Sequence, residues 1–479
     1  MYLRSLSLKN LKLARALDIS FLRGREPRMW TVLLGRNGLC KTSILQAIAL
    51  AASGPTRAKL LADASVFPDR RLQAPVLRID AEFGFNSDAT HHSYRHYPGL
   101  DQRPQSPPLV RSWLQLDPGR TDFHGSSSYA GAEVEPTFQQ KVNDEVRRRF
   151  VNIDQANLST EARLAIERMV ADDLNTPGPL VEARSLGLNL WFVAGYGIGR
   201  QLFDRDFERP ADYTVDRLNS LFNRGSIIGT AFFSILQNGP NRSKADADEI
   251  ARRYAATLKS ILVGPEHLLP EVTNIELRGY GGVRRTADFI ESSRFDFRAG
   301  ERSVRLPAVA LSQGYQAVIA WIADLVGQVF LESDGPIDPA DMEGLVLIDE
   351  LDLHLHPLWQ VHLVKMLRSI FPKLQFVTTT HSPMILPYLQ PDEVLVLDQN
   401  ADGDVVIQPS TRSPALLTAS DLLATYFGLD EIFPNKVGEW LWRYGYLARC
   451  PNRTPDEERE MRALALKLGA EGLDVSSAF

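Results

Sequence analysis

The residues of this sequence that could do chemistry cluster first at positions 35–43, where Gly-Arg-Asn-Gly-Leu-Cys-Lys-Thr-Ser follows an apolar run. The spacing nearly matches G-x-x-x-x-G-K-[S/T], a pattern in which backbone N–H groups at a helix start surround phosphates. In that pattern Lys41 reaches the β- and γ-phosphates and Thr42 ligates Mg²⁺. A coincidental glycine-rich turn is the alternative. The residues predicted to bind the nucleotide here are Gly35, Asn37, Gly38, Cys40, Lys41, Thr42 and Ser43.

Cys40 departs from the phosphate-loop pattern, because it stands where the second glycine is expected. The backbone approaches the phosphate closely at this position, which favours a residue without Cβ. We therefore expect the Cys40 side chain to crowd the β-phosphate, so that ATP is bound more weakly or turned over slowly.

A pair of acids ends the apolar run Val346–Ile348. In a phosphate-loop ATPase the first acid holds Mg²⁺ and the second polarises the attacking water. An apolar strand with a polar end explains the segment equally well when it is taken alone. Its combination with the phosphate loop favours the catalytic interpretation, which assigns Asp349 to the metal and Glu350 to water activation.

Two further polar groups lie near the acidic pair. Ser312 and Gly314 open an apolar helix, and a helix start of this composition attracts anions, although an ordinary helix cap is the alternative. His381 follows an apolar strand, at the end where α/β sheets place their ligands. We expect its imidazole to contact the γ-phosphate; a purely structural histidine is the alternative.

Strands and helices must alternate to position these residues. The N-terminus alternates apolar and polar residues, which predicts strands at Leu3–Leu8 and Ala16–Phe21. Apolar strands at Thr31–Leu34, before the phosphate loop, and ahead of Asp349 alternate with apolar helices, which predicts an α/β sheet with helices on its faces.

Five motifs occur in a fixed order: GRNGLCKTS, LSQGYQ, LVLIDE, LDLHLHP and TTHSP. Together they resemble the ATPase head of ABC-type proteins, specifically the SMC/RecF-like branch of AAA family ATPases. Within that branch they are similar to the ATPase subunits of bacterial antiphage defence systems such as Septu, PARIS and retron-associated systems. The motifs cover residues 1–50 and 300–397. The resemblance implies an α/β head, a mixed β-sheet with flanking helices, with a short helical insertion and a helical C-terminal appendix.

The chain is divided accordingly into four predicted parts. Residues 1–135 form an N-terminal lobe with the phosphate loop, and residues 136–270 form a helical insertion interrupted by a core strand near 188–200. Residues 271–410 form the C-terminal lobe, and residues 411–479 form the appendix.

The resemblance also implies roles for individual residues. Ser312 and Gly314 would contact the γ-phosphate of the ATP held by the opposite subunit. Asp352 would lie in a loop that crosses the dimer interface. His381 would be the switch histidine and Glu350 the catalytic base.

Arg200 follows the apolar strand Trp191–Ala194 and the segment Gly195–Gly199. It occupies the place where similar heads have a γ-phosphate-sensing loop, so we assign it a phosphate contact. A structural arginine that caps the sheet is the alternative.

The expected cofactors are ATP and Mg²⁺. The expected assembly is a homodimer, or a higher homo-oligomer, that sandwiches ATP and controls a separately encoded effector, such as a nuclease. Two other functions stay open: a RecF-like DNA repair ATPase that binds DNA directly, and a scaffold that holds nucleotide with little turnover.

The charge, the cysteine count and the length of the apolar runs exclude several classes of protein. The net charge of -6 argues against coating nucleic acid by charge alone. Two cysteines exclude a disulfide framework and fit a reducing cytosol. No apolar run reaches the ~18 residues that a membrane span needs, and the N-terminus does not read as a signal peptide. We expect a cytoplasmic protein without a membrane partner.

Three other signals receive structural interpretations. His354 and His356 have metal-like spacing but no further ligands nearby in the sequence. The segment from Asp398 begins like a calcium loop, but it reads better as a β-hairpin that turns at Asp402–Gly403. Arg147–Arg149 favours a solvated helix face over a DNA contact.

Overall fold

The computed structural model describes residues 1–84, 109–130, 192–200, 213–222, 244–263, 268–269, 271–276, 293–300, 302–332, 336–410, 412–429, 435–450 and 452–473. The chain divides into two compact units, Met1–Leu416 and Leu417–Phe479. The four-part division made from the sequence stays a prediction. Most of the predicted insertion at 136–270, including Arg147–Arg149, lies outside the described residues.

The elements follow one another in this order. The first part of the chain forms β1 (Tyr2–Leu11), β2 (Ala14–Ser20), β3 (Trp30–Leu34), α1 (Lys41–Ser53), α2 (Pro55–Leu61), β4 (Leu77–Gly84), β5 (Leu109–Leu116) and β6 (His124–Ala130). The middle forms β7 (Val193–Tyr196), α3 (Tyr213–Asn219), α4 (Lys244–Val263), β8 (Val272–Glu276), β9 (Arg294–Ala299), β10 (Arg302–Pro307) and α5 (Gln313–Glu332). The last part forms β11 (Gly344–Ile348), α6 (Pro357–Ile370), β12 (Leu374–Thr379), β13 (Val394–Gln399), β14 (Val405–Pro409), α7 (Ala419–Phe427), α8 (Asn435–Arg449) and α9 (Pro455–Ala470).

The core sheet has the strand order β14-β13-β3-β12-β11-β7. Its strands pair in parallel except for the antiparallel pair β13–β14. β3, β11 and β12 are buried along their whole length, as expected for parallel strands covered on both faces. Because the carboxyl ends of parallel strands meet at one edge, the segments after β3, β7, β11 and β12 come together there.

A second, antiparallel sheet has the order β2-β1-β4-β5-β6. Leu6 and Leu8 of β1 are buried, whereas Ser5 and Ser7 lie on the other face. Gln375 of β12 joins this sheet to the core sheet, because its buried side chain accepts from Leu3 N at 2.6 Å and donates to Leu3 O at 2.9 Å. The apolar residues of α1 belong to the same hydrophobic cluster as Leu6 and Leu8. A small sheet, β8-β9-β10, precedes α5.

The unit Leu417–Phe479 is helical in its described part. α7 and α9 each begin with a capping box, formed by Thr418 with Asp421 and by Thr454 with Glu457. α8 and α9 are joined by a 2.7 Å ion pair between Arg443 and Glu460. The prediction of a helical C-terminal appendix is confirmed, as is that of an α/β fold built on a mixed sheet.

The three strand predictions and the hairpin prediction are also confirmed. The strands predicted at Leu3–Leu8, Ala16–Phe21 and Thr31–Leu34 correspond to β1, β2 and β3, with ends that differ by at most three residues. The calcium-like segment is the hairpin β13–β14, and Gly403 in its turn has φ 78°. Within the described ranges, no cluster of three or more His, Cys, Asp or Glu side chains has a metal-binding arrangement. None of the helices described combines the length and apolar character that a membrane crossing requires.

Candidate nucleotide-binding site

The phosphate loop connects β3 to α1. Gly35 has φ 147°, and a Cβ there would lie 2.8 Å from the carbonyl oxygen of Leu397. Gly38 has φ 87°, and Arg36, Asn37 and Gly38 are solvent-exposed or nearly so. Cys40 provides no side-chain cap for α1, so the first N–H groups of the helix have no partner within it. A helix start of this kind is suited to an anion.

Lys41 is the first residue of α1 and is buried. Its Nζ donates to the carbonyl oxygens of Gly35 at 2.7 Å and Arg36 at 3.1 Å, so the ammonium lies across the loop. Burial lowers the pKa of Lys41, and the carboxylates of Asp349 and Glu350 oppose that shift. The predicted phosphate-binding lysine is therefore within electrostatic range of Asp349, the predicted metal ligand, and of Glu350, the predicted base.

Cys40 adopts a left-handed conformation with φ 61°, which explains why glycine is usual at this position. Its side chain is 7% exposed and belongs to the hydrophobic cluster, and its Sγ approaches the carbonyl oxygen of Gly38 at 4.0 Å. Burial raises the pKa of this thiol. The Cys40 side chain packs into the hydrophobic cluster, and the expected crowding of the β-phosphate stays a prediction. The cost of Cys40 lies in its backbone conformation.

Ser43 faces the β1–β2 turn. Its buried hydroxyl accepts a 2.7 Å hydrogen bond from Lys12 Nζ, and burial lowers the pKa of Lys12. The Ser43 side chain is thus engaged on the inner side of α1. Because the hydroxyl of Ser43 is bonded to Lys12, its backbone N–H is the group left to make the predicted nucleotide contact.

Thr42, Asp349 and Thr379 form a chain of hydrogen bonds between three segments. Thr42 Oγ1 donates to Asp349 Oδ2 at 2.8 Å, and Thr379 Oγ1 donates to Asp349 Oδ1 at 2.6 Å. The Asp349 carboxylate is buried and both its oxygens are oriented. The structure therefore brings together the two residues predicted to bind the metal.

Glu350 follows Asp349 in a left-handed conformation with φ 49°. A residue with a Cβ pays about 1–2 kcal/mol for such a conformation. The turn is held by a 2.7 Å hydrogen bond from Glu350 N to Thr379 Oγ1. The side chain of Glu350 is half-buried. Glu350 thus stands at a bend where the chain leaves the core sheet.

Arg200 lies under the same bend. Its NH1 donates to Asp349 O and its NH2 to Glu350 O, both at 2.6 Å. The side chain is 3% exposed. The structure places the guanidinium on backbone carbonyls, in line with the structural alternative, and the predicted phosphate contact stays a prediction.

Asp352 and His381 lie on adjoining loops. Thr380 Oγ1 donates to Asp352 Oδ1, and the N–H of His381 approaches the same oxygen at 3.4 Å. His381 is exposed beyond the end of β12. Below these contacts, Gln360 Nε2 donates to Leu355 O at 2.7 Å, which fixes the loop against α6. The predicted interface loop and the predicted switch histidine are therefore connected within one chain.

The signature segment, which is the LSQGYQ motif at residues 311–316, lies against the Asp352 loop. Ser312 is exposed just before α5. A Cβ on Gly314 would lie 2.4 Å from the carbonyl oxygen of His354, which itself has φ 64°. Glycine is required at position 314 by this close approach, whether or not it also contacts a phosphate.

Thr379 and Thr380 are the functional residues that the sequence interpretation left without roles. Both side chains are fully buried, and each orients a predicted site carboxylate, that of Asp349 or that of Asp352. The run of three threonines before His381 is the signal that could have identified them, because hydroxyls at the end of a buried strand need partners.

Part of the chain is similar to a known protein family. The family described as "AAA domain, putative AbiEii toxin, Type IV TA system" matches residues 190–386. Residues 190–386 are therefore similar to an AAA ATPase domain. This stretch contains Arg200, the signature segment, both acids and His381.

The relatives are named as Septu proteins and retron ATPases. The Septu protein PtuA of Bacillus mycoides (strain KBAB4) is 36% identical over 159 residues, which is 33% of this chain and 22% of that protein. The Retron Ec83 probable ATPase of Escherichia coli is 28% identical over 34% of this chain and 28% of its own length. The Septu protein PtuA of Bacillus thuringiensis is 34% identical over 30% of this chain and 37% of its own length. The chain therefore spans less than two fifths of each of these relatives. The predicted resemblance to Septu and retron-associated proteins is confirmed over these stretches.

A solved structure of similar layout is the SMC head bound to the C-winged helix domain of ScpA. It covers 85% of this chain and 98% of its own, with 14% sequence identity and a TM-score of 0.46.

Proposed function

We propose that this chain binds and hydrolyses ATP as the ATPase subunit of an antiphage defence complex. The observation that carries the proposal is the meeting of Lys41, Thr42, Asp349 and Glu350 at one edge of the core sheet. These residues come from segments more than 300 positions apart, and they supply the cation, the metal ligands and the carboxylate that phosphoryl transfer to water needs.

The donor set fits a magnesium ion. The Thr42 hydroxyl and the Asp349 carboxylate are oxygen donors that already adjoin, and oxygen ligands are what Mg²⁺ prefers. When bound, Mg²⁺ neutralises charge on the phosphate oxygens. Lys41 would exchange its loop carbonyls for the β- and γ-phosphates.

Hydrolysis would use Glu350 as general base. Its carboxylate accepts a proton from the attacking water, the water oxygen bonds to the γ-phosphorus, and the bond to the β–γ bridging oxygen breaks to release ADP. His381, exposed at the end of β12, is assigned to the γ-phosphate.

A complete site would need a second copy of the chain. Ser312 is exposed at the start of α5, and in our proposal it faces the ATP of the partner copy, with Gly314 behind it. A two-fold dimer of such chains has two identical composite sites. The names of the relatives support a role in defence, in which the dimer controls a separately encoded effector such as a nuclease.

The proposal is tested by comparing the wild-type chain with Glu350→Gln. Wild type should release phosphate from ATP, and the variant should bind ATP with unchanged affinity while its phosphate release is lost, because only water activation is removed. Equal hydrolysis by both proteins would reject Glu350 as the base. Absence of ATP binding by the wild type would reject the function itself.

A further inference from the structure

The bend at Asp349–Glu350 is held by one short segment, residues 196–200. On one side, Asp349 N donates to Tyr196 O at 2.8 Å, which continues the pairing of β11 with β7. On the other side, Arg200 donates to the carbonyl oxygens of both Asp349 and Glu350. The same segment therefore binds the peptide groups before and after the Asp349 side chain.

The segment is itself anchored. The buried hydroxyl of Tyr196 donates to Asp324 Oδ2 of α5 at 3.0 Å, and Gly197 N donates to Ser220 Oγ at 3.0 Å. A Cβ at Gly197 would lie 2.1 Å from the Ser220 carbonyl oxygen, so the backbone there is in close contact with α3 and its C-terminal turn. Arg200 therefore extends from a fixed base.

Arg200 carries a buried charge, and burying a charge is costly unless the group is well paired. Desolvation lowers the pKa of Arg200 to about 10, and the carboxylates of Asp349, Asp352 and Glu350 oppose the shift, so the guanidinium stays protonated at neutral pH. Its planar fork suits two acceptors side by side. Two adjacent carbonyls in a strand point to opposite sides; the left-handed turn at Glu350 is what lets one guanidinium reach both.

We propose that Arg200 is a positioning residue for Glu350: it stabilises the left-handed turn that directs the carboxylate at the water-binding side of the phosphate. The inference rests on the proposed ATPase function. It replaces the phosphate contact predicted for Arg200 with an action through the backbone of the base. Thr379 holds the N–H of the same residue, so Glu350 is fixed from both of its peptide groups.

The test uses the full chain with Arg200→Lys and Arg200→Met. Arg200→Met should lower kcat by about ten- to hundredfold, within the range that a general base contributes, while KM stays within about threefold. Arg200→Lys should keep part of kcat, because an ammonium can bond one carbonyl. Arg111→Met, which removes a largely exposed arginine on the antiparallel sheet, is the matched control and should leave both constants unchanged.

The decisive arm is a double-mutant cycle with Glu350→Gln under single-turnover conditions. Since Arg200 acts through Glu350, Arg200→Met should add almost no further loss of rate once the base is gone. Multiplied losses would show that Arg200 acts independently and would overturn the inference. The affinities for ATP and ADP give a second readout: loss of ATP affinity alone identifies a γ-phosphate contact and also overturns it.

Failure of this inference is distinct from failure of the proposed function. A wild type without hydrolysis rejects the function. A wild type that hydrolyses ATP, with an unchanged kcat in both Arg200 variants, rejects only the role of Arg200. If Arg200→Met does not fold, the cycle is run with Arg200→Lys, which keeps the charge.

Discussion

Thr42 and Asp349 are separated by 307 positions, yet Thr42 Oγ1 donates to Asp349 Oδ2 across 2.8 Å. The contact joins the first turn of α1 to the end of β11. It shows that the core sheet brings the phosphate loop and the acidic strand together.

Replacing Thr42 with valine tests the metal assignment, because valine keeps the shape and removes the hydroxyl. In the presence of Mg²⁺ we expect ATP affinity to fall about tenfold, which corresponds to about 1.4 kcal/mol. In EDTA, which removes Mg²⁺, Thr42→Val and the wild type should bind ATP with the same affinity. Equilibrium titration with a fluorescent ATP analogue measures both, and Thr42→Ser, which keeps the hydroxyl, is the control. An equal loss in EDTA would mean that Thr42 acts on the fold and not on the metal.

Lys41→Ala should weaken ATP binding by about tenfold or more, because it removes the positive charge at the β- and γ-phosphates. Isothermal titration calorimetry gives the affinity. The exposed Lys59 of α2 provides the control variant Lys59→Ala, which should bind ATP as the wild type does. Because Lys41 also bonds to the loop carbonyls, the thermal unfolding of the Lys41→Ala protein must be compared with that of the wild type. Unchanged affinity in a folded Lys41→Ala protein would remove the phosphate-loop assignment.

A pair of substitutions at Cys40 separates backbone conformation from side-chain packing. Cys40→Ala removes the buried thiol but keeps a Cβ at φ 61°, whereas Cys40→Gly also relieves the left-handed conformation. The glycine variant should therefore be more stable than the alanine variant by about 1 kcal/mol. Chemical unfolding monitored by fluorescence compares the two.

The same pair tests whether the Cys40 side chain crowds the phosphate. Since that side chain packs in the hydrophobic cluster, ATP affinity should change little in either variant. A clear gain of affinity that is confined to Cys40→Gly would support the crowding hypothesis.

Mixing two inactive variants tests the composite site. Lys41→Ala and Ser312→Arg chains should each be inactive alone, because the first spoils its own nucleotide site and the second spoils that of its partner. Random pairing makes half of the dimers mixed, and each mixed dimer has one intact site, so about a quarter of the wild-type rate should return if the sites act independently. Phosphate release measures the recovery. No recovery in dimers whose exchange is verified, or an active monomer in sedimentation, would contradict the dimer model.

The sequence was sufficient for the parts of the site that are encoded locally. The phosphate loop and the acids after β11 are contiguous patterns, and their meeting follows from the rule that parallel strands end at one edge. The packing of the Cys40 side chain could not be predicted in this way, because the hydrophobic cluster around it includes residues far away in the sequence, such as Leu11 and Ala14 on either side of the β1–β2 turn.

Arg200 illustrates a different limit. Its position after β7 was recognisable, but its partners are backbone carbonyls, and these carry no side-chain signature in a sequence. Similarly, Gly314 matched a motif for phosphate contact, whereas its close approach to the His354 carbonyl becomes visible only when the loops are folded together.

The left-handed residues of this site bear on how the chain could be made more heat-resistant. Glu350 and His354 both have positive φ, so glycine at either position should relieve about 1 kcal/mol of backbone strain. A screen that selects for survival of heating alone would therefore enrich glycine at position 350, and every clone so enriched would lack the carboxylate. His354 has an exposed side chain, so replacing it with glycine should relieve the same backbone strain while Glu350 keeps its carboxylate. Selection for heat resistance should accordingly begin at His354, with Glu350 held constant in the library.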